Sequence, residues 1–409
     1  MESGATHPDL LVVTCTAAYQ GALEDIVAAA RQLLSPSVLV GSSAVGVLAG
    51  GREVEEHAGL AMFAWWSGAE SAGSADPERP ARSVRLEPRD LTLVGPTPGE
   101  LHPAEAAPAS GPTSGPADAA PASWPANRPG GLDGAAGTLV LLADPFTCQP
   151  DELLAALKVH APELAVVGGF VGAARHRGGN RLLLDGEQFA NGAVGVLLDP
   201  SVPVTTLVSH GTRSIGRPMT VTAAERRVVR GLAGRPAFER LRAAIDACPP
   251  DDQLLAAQGV LLAWVHDGHR SASGRSDAGP EHEVTMTSVL GADHEVGALV
   301  IAEEIPVGAA VQFHVRGPSA AHEDLLAHLA AAGPATTGAA CGRGSAGALV
   351  FTSAARGAAF FGHPDHDAAT VAEHLASGAV AGAFCSGELA PVGGRNAAHS
   401  ASAVVLMLG

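Results

Sequence analysis

Apolar positions along the chain fall into short runs rich in valine, leucine and phenylalanine, most of them bounded by glycine or proline. Such runs are typical of buried β-strands, which need fewer residues than a helix does. Between them lie segments in which apolar side chains recur every three or four residues, so that they share one helix face. In the last such segment these positions are Ala368, Val371, Ala372 and Leu375. The spacing predicts a helix from Pro364 to Leu375.

The predicted elements repeat three times in the same order: strand, helix, glycine-rich strand, strand. The three copies begin near Leu10, Leu139 and Leu349. Glycines recur at corresponding places in the glycine-rich strands, namely Gly41 with Gly46, Gly168 with Gly172, and Gly382 with Gly387. One glycine pair would carry little weight in a chain with 50 glycines. The recurrence of all four elements, however, indicates internal duplication.

The region between the second and third copies follows another pattern. We expect a polar turn region from His210 to Pro218 and an antiparallel meander of three strands at 284–290, 297–302 and 310–316. A helix from about Ala320 to Ala332 should follow, capped by Ser319 and ended by Gly333. An earlier helix should end at Pro249-Pro250.

These patterns predict an α/β fold of the α+β kind, with repeated strand–helix–strand–strand units forming mixed sheets flanked by helices. We expect two subdomains, residues 8–200 and residues 201–409. The first contains a segment, about residues 96–136, that is dominated by proline, alanine, glycine and serine. Such a composition buries too little apolar surface to offset the entropy of ordering, which predicts a flexible insert.

Charge and cysteine content narrow the class of protein. The formal net charge of −17 argues against a sequence-independent nucleic-acid binder and against docking on anionic lipid. No apolar run is long enough for a membrane helix, and the first residues lack the features of a signal peptide. The five cysteines are odd in number and include no CxxC pair, so we expect a reducing, cytoplasmic setting without disulfides.

Signatures of common enzyme classes are absent: the sequence contains no GxSxG, no HExxH, no GxxxxGK[ST] and no GxGxxG between a strand and a helix. Two enzyme alternatives remain open. Cys341 stands beside Arg343, a cation that would lower a thiol pKa, although free cysteines are usually small buried hydrophobes. His363, Asp365 and Asp367 are ligand types that suit a divalent metal, although acidic residues at a helix start also favour the helix dipole. We predict no cofactor and no metal.

Polar residues in the last copy are the strongest site candidates. Glu388 follows a run typical of a buried strand, so its carboxylate needs a partner or water. Arg356 leaves the first strand of the same copy and could form a structural ion pair with it. The alternative is a polar pocket that binds a small zwitterionic or amine-bearing ligand. The predicted pocket is bordered by Arg356, Glu388, Asn396 and His399, with the backbone of Gly393 and Gly394 at its rim.

The same residues resemble the FIST family, the F-box and intracellular signal transduction domain, over nearly the whole chain apart from the insert. The matching segments of the N-terminal part are Leu11-Val12-Val13, 40–46, Val167-Gly168-Gly169 and 189–196. Those of the C-terminal part are His210-Gly211, Ile215-Gly216, Val221-Thr222, 234–237, 311–316, Arg356-Gly357, Gly387-Glu388, 391–394, Asn396 and His399.

Two departures limit what the resemblance implies. The family usually carries Cys-Asn-Gly where this chain has Ser353-Ala354-Ala355, and no F-box precedes Leu10. The resemblance therefore implies a prokaryotic type of intracellular sensory module for a small ligand, an amino acid or a related metabolite, that signals through a protein partner. An enzyme of either kind described above, or a scaffold without a small ligand, is the alternative.

Overall fold

The computed structural model describes residues 7–67, 80–87, 132–265, 284–332, 347–375 and 379–409. Within these ranges the helices are α1 (Leu23–Leu34), α2 (Pro150–His160), α3 (Ala237–Asp246), α4 (Pro250–Gln258), α5 (Pro318–Ala331), α6 (Ala358–Phe361) and α7 (His366–Leu375). The strands form four sheets, and helices flank them, which confirms the predicted mixed fold. No helix in the described ranges has the length and apolarity that a membrane span requires.

Three strand–helix–strand–strand units form the larger part of the described chain, as the repeated pattern predicts. In each unit a helix joins two parallel strands, and the last strand pairs antiparallel with the first. The units are β1 (Leu10–Thr16), α1, β2 (Val38–Ala44) and β5 (Leu60–Trp65); β7 (Gly137–Ala143), α2, β8 (Leu164–Phe170) and β11 (Ala193–Leu198); and β20 (Gly347–Ser353), α7, β21 (Val380–Cys385) and β24 (Ala403–Leu408).

Each unit also carries a hairpin that the sequence pattern does not predict. The hairpins are β3 (Val47–Ala49) with β4 (Arg52–Val54), β9 (Leu182–Leu184) with β10 (Glu187–Phe189), and β22 (Glu388–Val392) with β23 (Arg395–His399). Each hairpin extends the sheet of another unit, because β3 pairs with β21, β9 pairs with β2, and β22 pairs with β8. The pairing is cyclic: the first unit extends the third, the third extends the second, and the second extends the first. It therefore links all three units.

One glycine of each glycine-rich strand occupies the same place in its unit. It lies between the first strand of its own unit and a leucine of the incoming hairpin. The three sets are Val13, Gly41 and Leu183; Leu141, Gly168 and Leu389; and Val350, Gly382 and Leu48. A Cβ atom at any of these glycines would collide with the carbonyl oxygen of the first strand. This equivalence confirms the predicted correspondence of the glycines and supports duplication.

The three sheets enclose one hydrophobic core, to which all three units contribute, for example through Leu10, Val140 and Leu349. The outer face of each unit packs under its own helix, α1, α2 or α7. Two more strands, β6 (Ala81–Leu86) and β12 (Val204–Ser209), extend the second and third sheets by pairing with β11 and β24. We call this assembly, β1–β12 with β20–β24, the three-sheet body.

A separate antiparallel sheet of seven strands has its own core, covered by α3 and α4. Its strands are β13 (Thr212–Glu225), β14 (Val228–Leu232), β15 (Arg235–Pro236), β16 (Val260–Val265), β17 (Val284–Asp293), β18 (Ala298–Ile301) and β19 (Ala310–Arg316). The predicted meander is wrong in its last step, because β19 lies between β13 and β16 rather than beside β18. The predicted turn region from His210 to Pro218 is also wrong, since most of it begins the long strand β13.

Smaller differences concern helix ends and the insert. Helix α5 begins at Pro318 with Gly317 as its N-cap, so Ser319 is not the cap. Helix α3 ends at Asp246 before Pro249-Pro250, as predicted, but the sequence pattern does not predict α4, which begins at Pro250. Residues 96–131 of the predicted flexible insert, and Gly333, lie outside the described residues. Residues 132–136 are described, and Leu132 is buried in the core under α2.

Candidate functional site

The turn after β20 places Arg356 in the interior of the three-sheet body. Its side chain is fully buried and donates hydrogen bonds from Nε and Nη2 to the two carboxylate oxygens of Asp367, each 2.9 Å long. Asp367 lies in the first turn of α7 and also accepts a 2.6 Å hydrogen bond from the Thr352 hydroxyl. Burial alone would raise the pKa of Asp367, but Arg356, His366 and Thr352 outweigh it and hold that pKa well below its usual range. The pair is therefore ionised at neutral pH.

Glu388 lies close to this pair, at the start of β22, and is also fully buried. Its Oε2 accepts a 3.0 Å hydrogen bond from the backbone N–H of Ser402. Burial raises the pKa of Glu388 to about 8, against the opposing effects of that N–H group and of the Arg356 charge. At neutral pH Glu388 is therefore mostly protonated, and Arg356 has Asp367 as its ionic partner.

Three polar atoms in this region are buried without a hydrogen-bond partner in the described part of the chain: Nη1 of Arg356, Nε of Arg316 and Oε1 of Glu388. The three side chains are near enough for their charges to shift one another's pKa, and we call them the charge cluster. Buried polar groups are normally satisfied, and an unsatisfied one costs about 1–3 kcal/mol. The charge cluster thus offers two unused donors and one unused carboxyl oxygen to solvent or to a polar ligand group.

A cavity of about 530 Å³ lies between the seven-stranded sheet and α5, and we call it the sheet–helix cavity. The sheet contributes Thr212, Arg213, Ser214, Pro218, Ala263, Trp264, Met286, Ala310, Val311, Gln312 and His314. The helix contributes Ala320, Glu323, Asp324, Ala327 and His328, and His210 closes one end. The helix residues recur at three- and four-residue steps, so they form one stripe along α5. The small alanines of this stripe leave room, while its polar residues face the sheet.

The segment His210-Gly211 separates the sheet–helix cavity from the charge cluster. The ring of His210 lies 5.1 Å from the ring of His399, and its Nδ1 lies 3.4 Å from Oγ of Ser402, the residue whose N–H binds Glu388. A Cβ atom on Gly211 would lie 2.5 Å from Nη1 of Arg356, and the backbone there has φ of +64°. Only glycine suits this position, because it combines left-handed backbone with close contact to the guanidinium.

The polar end of the cavity combines an ionised carboxylate with neutral imidazoles. Oδ2 of Asp324 accepts hydrogen bonds from the Ser209 hydroxyl (2.8 Å) and the Gly211 N–H (2.9 Å). These bonds and His328 lower the pKa of Asp324, although burial opposes them. Burial lowers the pKa of His210 to about 3 and that of His314 to about 4, so both rings are neutral at pH 7. A neutral imidazole offers one donor and one acceptor.

The structure brings together three of the six residues in the predicted pocket. Arg356 and Glu388 belong to the charge cluster, and His399 pairs with Glu388 across the hairpin and lies against His210. Burial lowers the pKa of His399 to about 4, and its Nε2 lies 3.1 Å from the carbonyl oxygen of Ala390.

The other three residues lie farther along the hairpin β22–β23. Asn396 accepts a 2.8 Å hydrogen bond from the Val166 N–H and donates a 2.7 Å hydrogen bond to the Leu164 carbonyl. Its amide thereby fixes the hairpin to β8. Gly393 and Gly394 have φ of +57° and +73° and form the turn at the opposite end of the hairpin from Glu388.

The acidic groups of the metal alternative have other partners. Cys341 lies outside the described residues. Asp365 accepts a hydrogen bond from the Glu53 N–H and pairs with Arg52, while Asp367 is bound by Arg356. In the ranges that the structure describes, no group of three histidine, cysteine or acidic side chains has a geometry that could hold a metal ion.

Sequence reasoning did not select the cavity residues, although two signals for them are present. Residues of β19 alternate between the apolar Val311, Phe313 and Val315 and polar residues that include His314, and this polar face borders the cavity. The stripe of α5 is visible as the three- and four-residue spacing that begins at Ala320. Neither signal identifies a site alone, because a polar strand face or helix face usually contacts solvent.

Models of one protein family match both the N-terminal and the C-terminal part of the chain. The model of the FIST N domain matches residues 9–235, and the model of the FIST C domain matches residues 237–391. An uncharacterized protein of Mycobacterium bovis is 32% identical over 403 residues, which cover 98% of this chain and 91% of the relative. An uncharacterized protein of Mycobacterium tuberculosis is 32% identical over 397 residues, covering 97% of this chain and 90% of that protein.

Proposed function

Since this chain belongs to the FIST family, whose domains generally serve sensory signal transduction, we propose that it senses a small ligand bound in the sheet–helix cavity. The proposed ligand is an amino acid or a related metabolite with an amino-acid-like head group. We further propose that the protein acts in the cytoplasm and signals through a protein partner. The four cysteines in the described ranges are free thiols, which agrees with a reducing compartment.

The observation that carries this proposal is a cavity whose polar end is separated from the unsatisfied polar atoms of the charge cluster only by His210-Gly211. Its volume of about 530 Å³ falls within the range of about 300–1,000 Å³ that is common for small-molecule sites. A ligand in such a site needs apolar walls for burial and a few convergent polar groups for orientation. The alanines, Met286 and Trp264 provide the walls, and Asp324, His210 and His314 provide the polar groups.

The charges of the cavity suit a zwitterionic head group. Asp324 is ionised and lies beside Glu323 on α5, so these carboxylates would receive an ammonium group. Arg213 lies on the sheet side of the cavity and already pairs with Asp252 through Nη2, so a ligand carboxylate would share the guanidinium fork with that residue. The neutral rings of His210 and His314 would donate to or accept from the remaining polar atoms of the ligand.

The predicted site residues take two roles in this proposal. Arg356, Glu388 and His399 form the layer under His210 that senses the occupied cavity. Ligand contact that turns the His210 ring would disturb its contacts with Ser402 and His399, and through Ser402 the hydrogen bond to Glu388. Gly393, Gly394 and Asn396 would act indirectly, because they shape and anchor the hairpin that holds Glu388 and His399.

The domain division that we propose, residues 8–200 and 201–409, differs from the boundary of the two family models near residue 236. Helix α5 lies after both boundaries in the sequence, and it contacts both the three-sheet body and the seven-stranded sheet. Leu325 and Leu329 pack into the three-sheet body, while Glu323 and Asp324 face the cavity. A ligand that moves α5 would therefore act on both the three-sheet body and the seven-stranded sheet, which suits a sensory protein.

A thermal-shift screen of the purified chain against amino acids and simple metabolites tests the proposal. A ligand present at 100 times its dissociation constant should add about 2.7 kcal/mol to the free energy of unfolding. Ala327→Trp would fill the cavity from α5 and should abolish the shift. The matched control is Ala330→Trp, because Ala330 is exposed on the same helix and does not line the cavity. A ligand that still stabilises the Ala327→Trp protein would show that the site lies elsewhere.

A further inference from the structure

An exposed histidine of α5, His322, is linked to the buried ion pair through a second histidine. Nδ1 of His322 lies 3.1 Å from Nε2 of His366, and Nδ1 of His366 lies 2.9 Å from Oδ1 of Asp367. The two imidazole rings meet edge to face, with centroids 5.2 Å apart and an interplanar angle of 71°. These three residues, which we call the His322 relay, connect a fully buried carboxylate with an imidazole at the surface.

The hydrogen-bond partners determine where the protons of the relay lie. Asp367 is ionised beside Arg356, so its oxygens can only accept hydrogen bonds. Nδ1 of His366 must therefore carry a proton, and in the singly protonated form of the ring, which the proposal assigns to it, Nε2 is an acceptor. Nδ1 of His322 then donates to that acceptor, and Nε2 of His322 is left unprotonated. An unprotonated ring nitrogen on a neutral histidine is a nucleophile.

The middle residue of the relay is held rigidly. The ring of His366 stacks on Phe361, with centroids 3.5 Å apart and an angle of 10° between the planes. Its side chain is 5% exposed, and its carbonyl accepts a 2.7 Å hydrogen bond from the Thr370 hydroxyl. His322, by contrast, is exposed on α5. A fixed hydrogen-bonded partner beneath an accessible nucleophile is the arrangement that orients a histidine for reaction.

We propose that His322 is a phosphoryl acceptor that reacts with donors of the phosphoramidate class. The lone pair on Nε2 of His322 attacks phosphorus and forms a new N–P bond, while the P–N bond of the donor breaks. The leaving nitrogen takes the electron pair of that bond and departs as a neutral amine, since it is protonated in the donor. The phosphorylated ring keeps its Nδ1 proton and becomes positively charged.

The relay favours this step because it stabilises the charge that develops on the ring. The Nδ1–H of His322 becomes more acidic as the N–P bond forms, and its hydrogen bond to His366 strengthens. His366 can transmit part of that positive charge to the Asp367 carboxylate, as the aspartate of a catalytic triad does for its histidine. His176 and His363 are exposed histidines whose Nδ1 contacts a backbone carbonyl instead, so they lack this charged support and serve as internal controls. His176 is the remote control, because the ring of His363 lies 5.6 Å from that of His366.

The test is reaction of the full chain with potassium phosphoramidate, with phosphorylation of each histidine followed over time by peptide mass spectrometry. His322 should react about 100-fold faster than His176 or His363, at the lower end of the range for one preorganised contact that stabilises developing charge. His366→Phe keeps a ring to stack on Phe361 but removes both nitrogens. It should lower the rate at His322 to that of the controls, and His322→Gln should remove the fast site.

The comparison of three histidines within the unaltered protein decides the matter even if a variant fails to fold. Circular dichroism and a melting curve establish whether His366→Phe is folded. Equal rates at His322, His176 and His363 would mean that the relay is a structural link between α5 and α7. An undiminished rate at His322 in folded His366→Phe protein would equally overturn the proposal.

Discussion

Removal of one partner from the buried pair of Arg356 and Asp367 should be among the most destabilising single changes in the three-sheet body. Asp367→Asn keeps the shape of the side chain but removes its charge. The guanidinium of Arg356 would then be buried without a counter-ion, since neighbouring Glu388 is mostly protonated at pH 7. It would also retain the unsatisfied Nη1 that it already has.

The expected loss is about 3–5 kcal/mol, the usual cost of leaving one charge of a buried ion pair without its partner. Arg356→Met should cost about 3 kcal/mol, at the lower end, because Asp367 can escape its unpaired charge by taking up a proton. The control Thr352→Val removes one neutral donor to Asp367 and should cost less, about 1–2 kcal/mol. All values refer to pH 7. The folded-state pKa of Asp367 is depressed, so its contribution is fully present above its unfolded pKa of about 3.9 and is lost as pH falls further.

Urea unfolding followed by far-ultraviolet circular dichroism measures the free energies. Hydrogen exchange of the segment 347–375 shows whether the loss lies in the third unit. The double variant Arg356→Met with Asp367→Leu buries no charge at this position, so its cost should fall below the sum of the single costs by about 2–3 kcal/mol. Additive costs, or a cost below about 1 kcal/mol for Asp367→Asn, would refute the conclusion that the pair is ionised and isolated from water.

Three further changes test other parts of the structure. Glu388→Gln should stabilise the protein increasingly above pH 5. Because the folded-state pKa of Glu388 is raised, its contribution to the free energy of unfolding is complete below about pH 4.3 and is lost as pH rises through 8, at roughly 1.4 kcal/mol per pH unit. A variant whose stability keeps the original pH slope would contradict the raised pKa. Gly382→Ala should lower the free energy of unfolding in urea by about 1–3 kcal/mol, because its Cβ collides with the Val350 carbonyl. The control Gly387→Ala makes only an ordinary contact at 3.4 Å and should change little. Equal costs would argue against the close approach of the two strands. Asn396→Ala should cost about 1–3 kcal/mol by leaving two backbone groups of β8 unpaired. The melting temperature should fall more than for Asn191→Ala, which removes one exposed hydrogen bond from Arg85.

The local pattern of the sequence was sufficient to find the three repeated units. Their strands are buried on both faces, so they appear as continuous apolar runs, and their helices have clear apolar faces. The corresponding glycines were also visible in the sequence, because two strands that approach closely leave no room for a Cβ atom. This requirement is independent of the rest of the fold. These features depend on residues near one another in the chain, which is the range over which sequence periodicity is informative.

The hairpins and the strand β13 could not be found in this way. The strands of the first two hairpins have three residues each, which is too few to establish an alternating pattern. The strand β13 has a polar face because part of it borders the sheet–helix cavity. Pairing of β3 with β21 or β22 with β8 joins segments that are hundreds of residues apart. No local property of either segment specifies such a partner, since any exposed strand edge offers the same backbone groups.

In the candidate site, too, some features were visible in the local sequence and others depended on tertiary structure. The sequence identified Arg356, Glu388 and His399 as polar residues in an apolar context, because a charge between buried strands is unusual and requires a partner. It did not identify that partner, because Arg356 pairs with Asp367 in the first turn of α7 rather than with Glu388. The cavity, the relay through His366 and the protonation of Glu388 depend on burial and on contacts between distant elements. Tertiary structure alone decided these properties, because desolvation and hydrogen bonding arise only when the chain has folded.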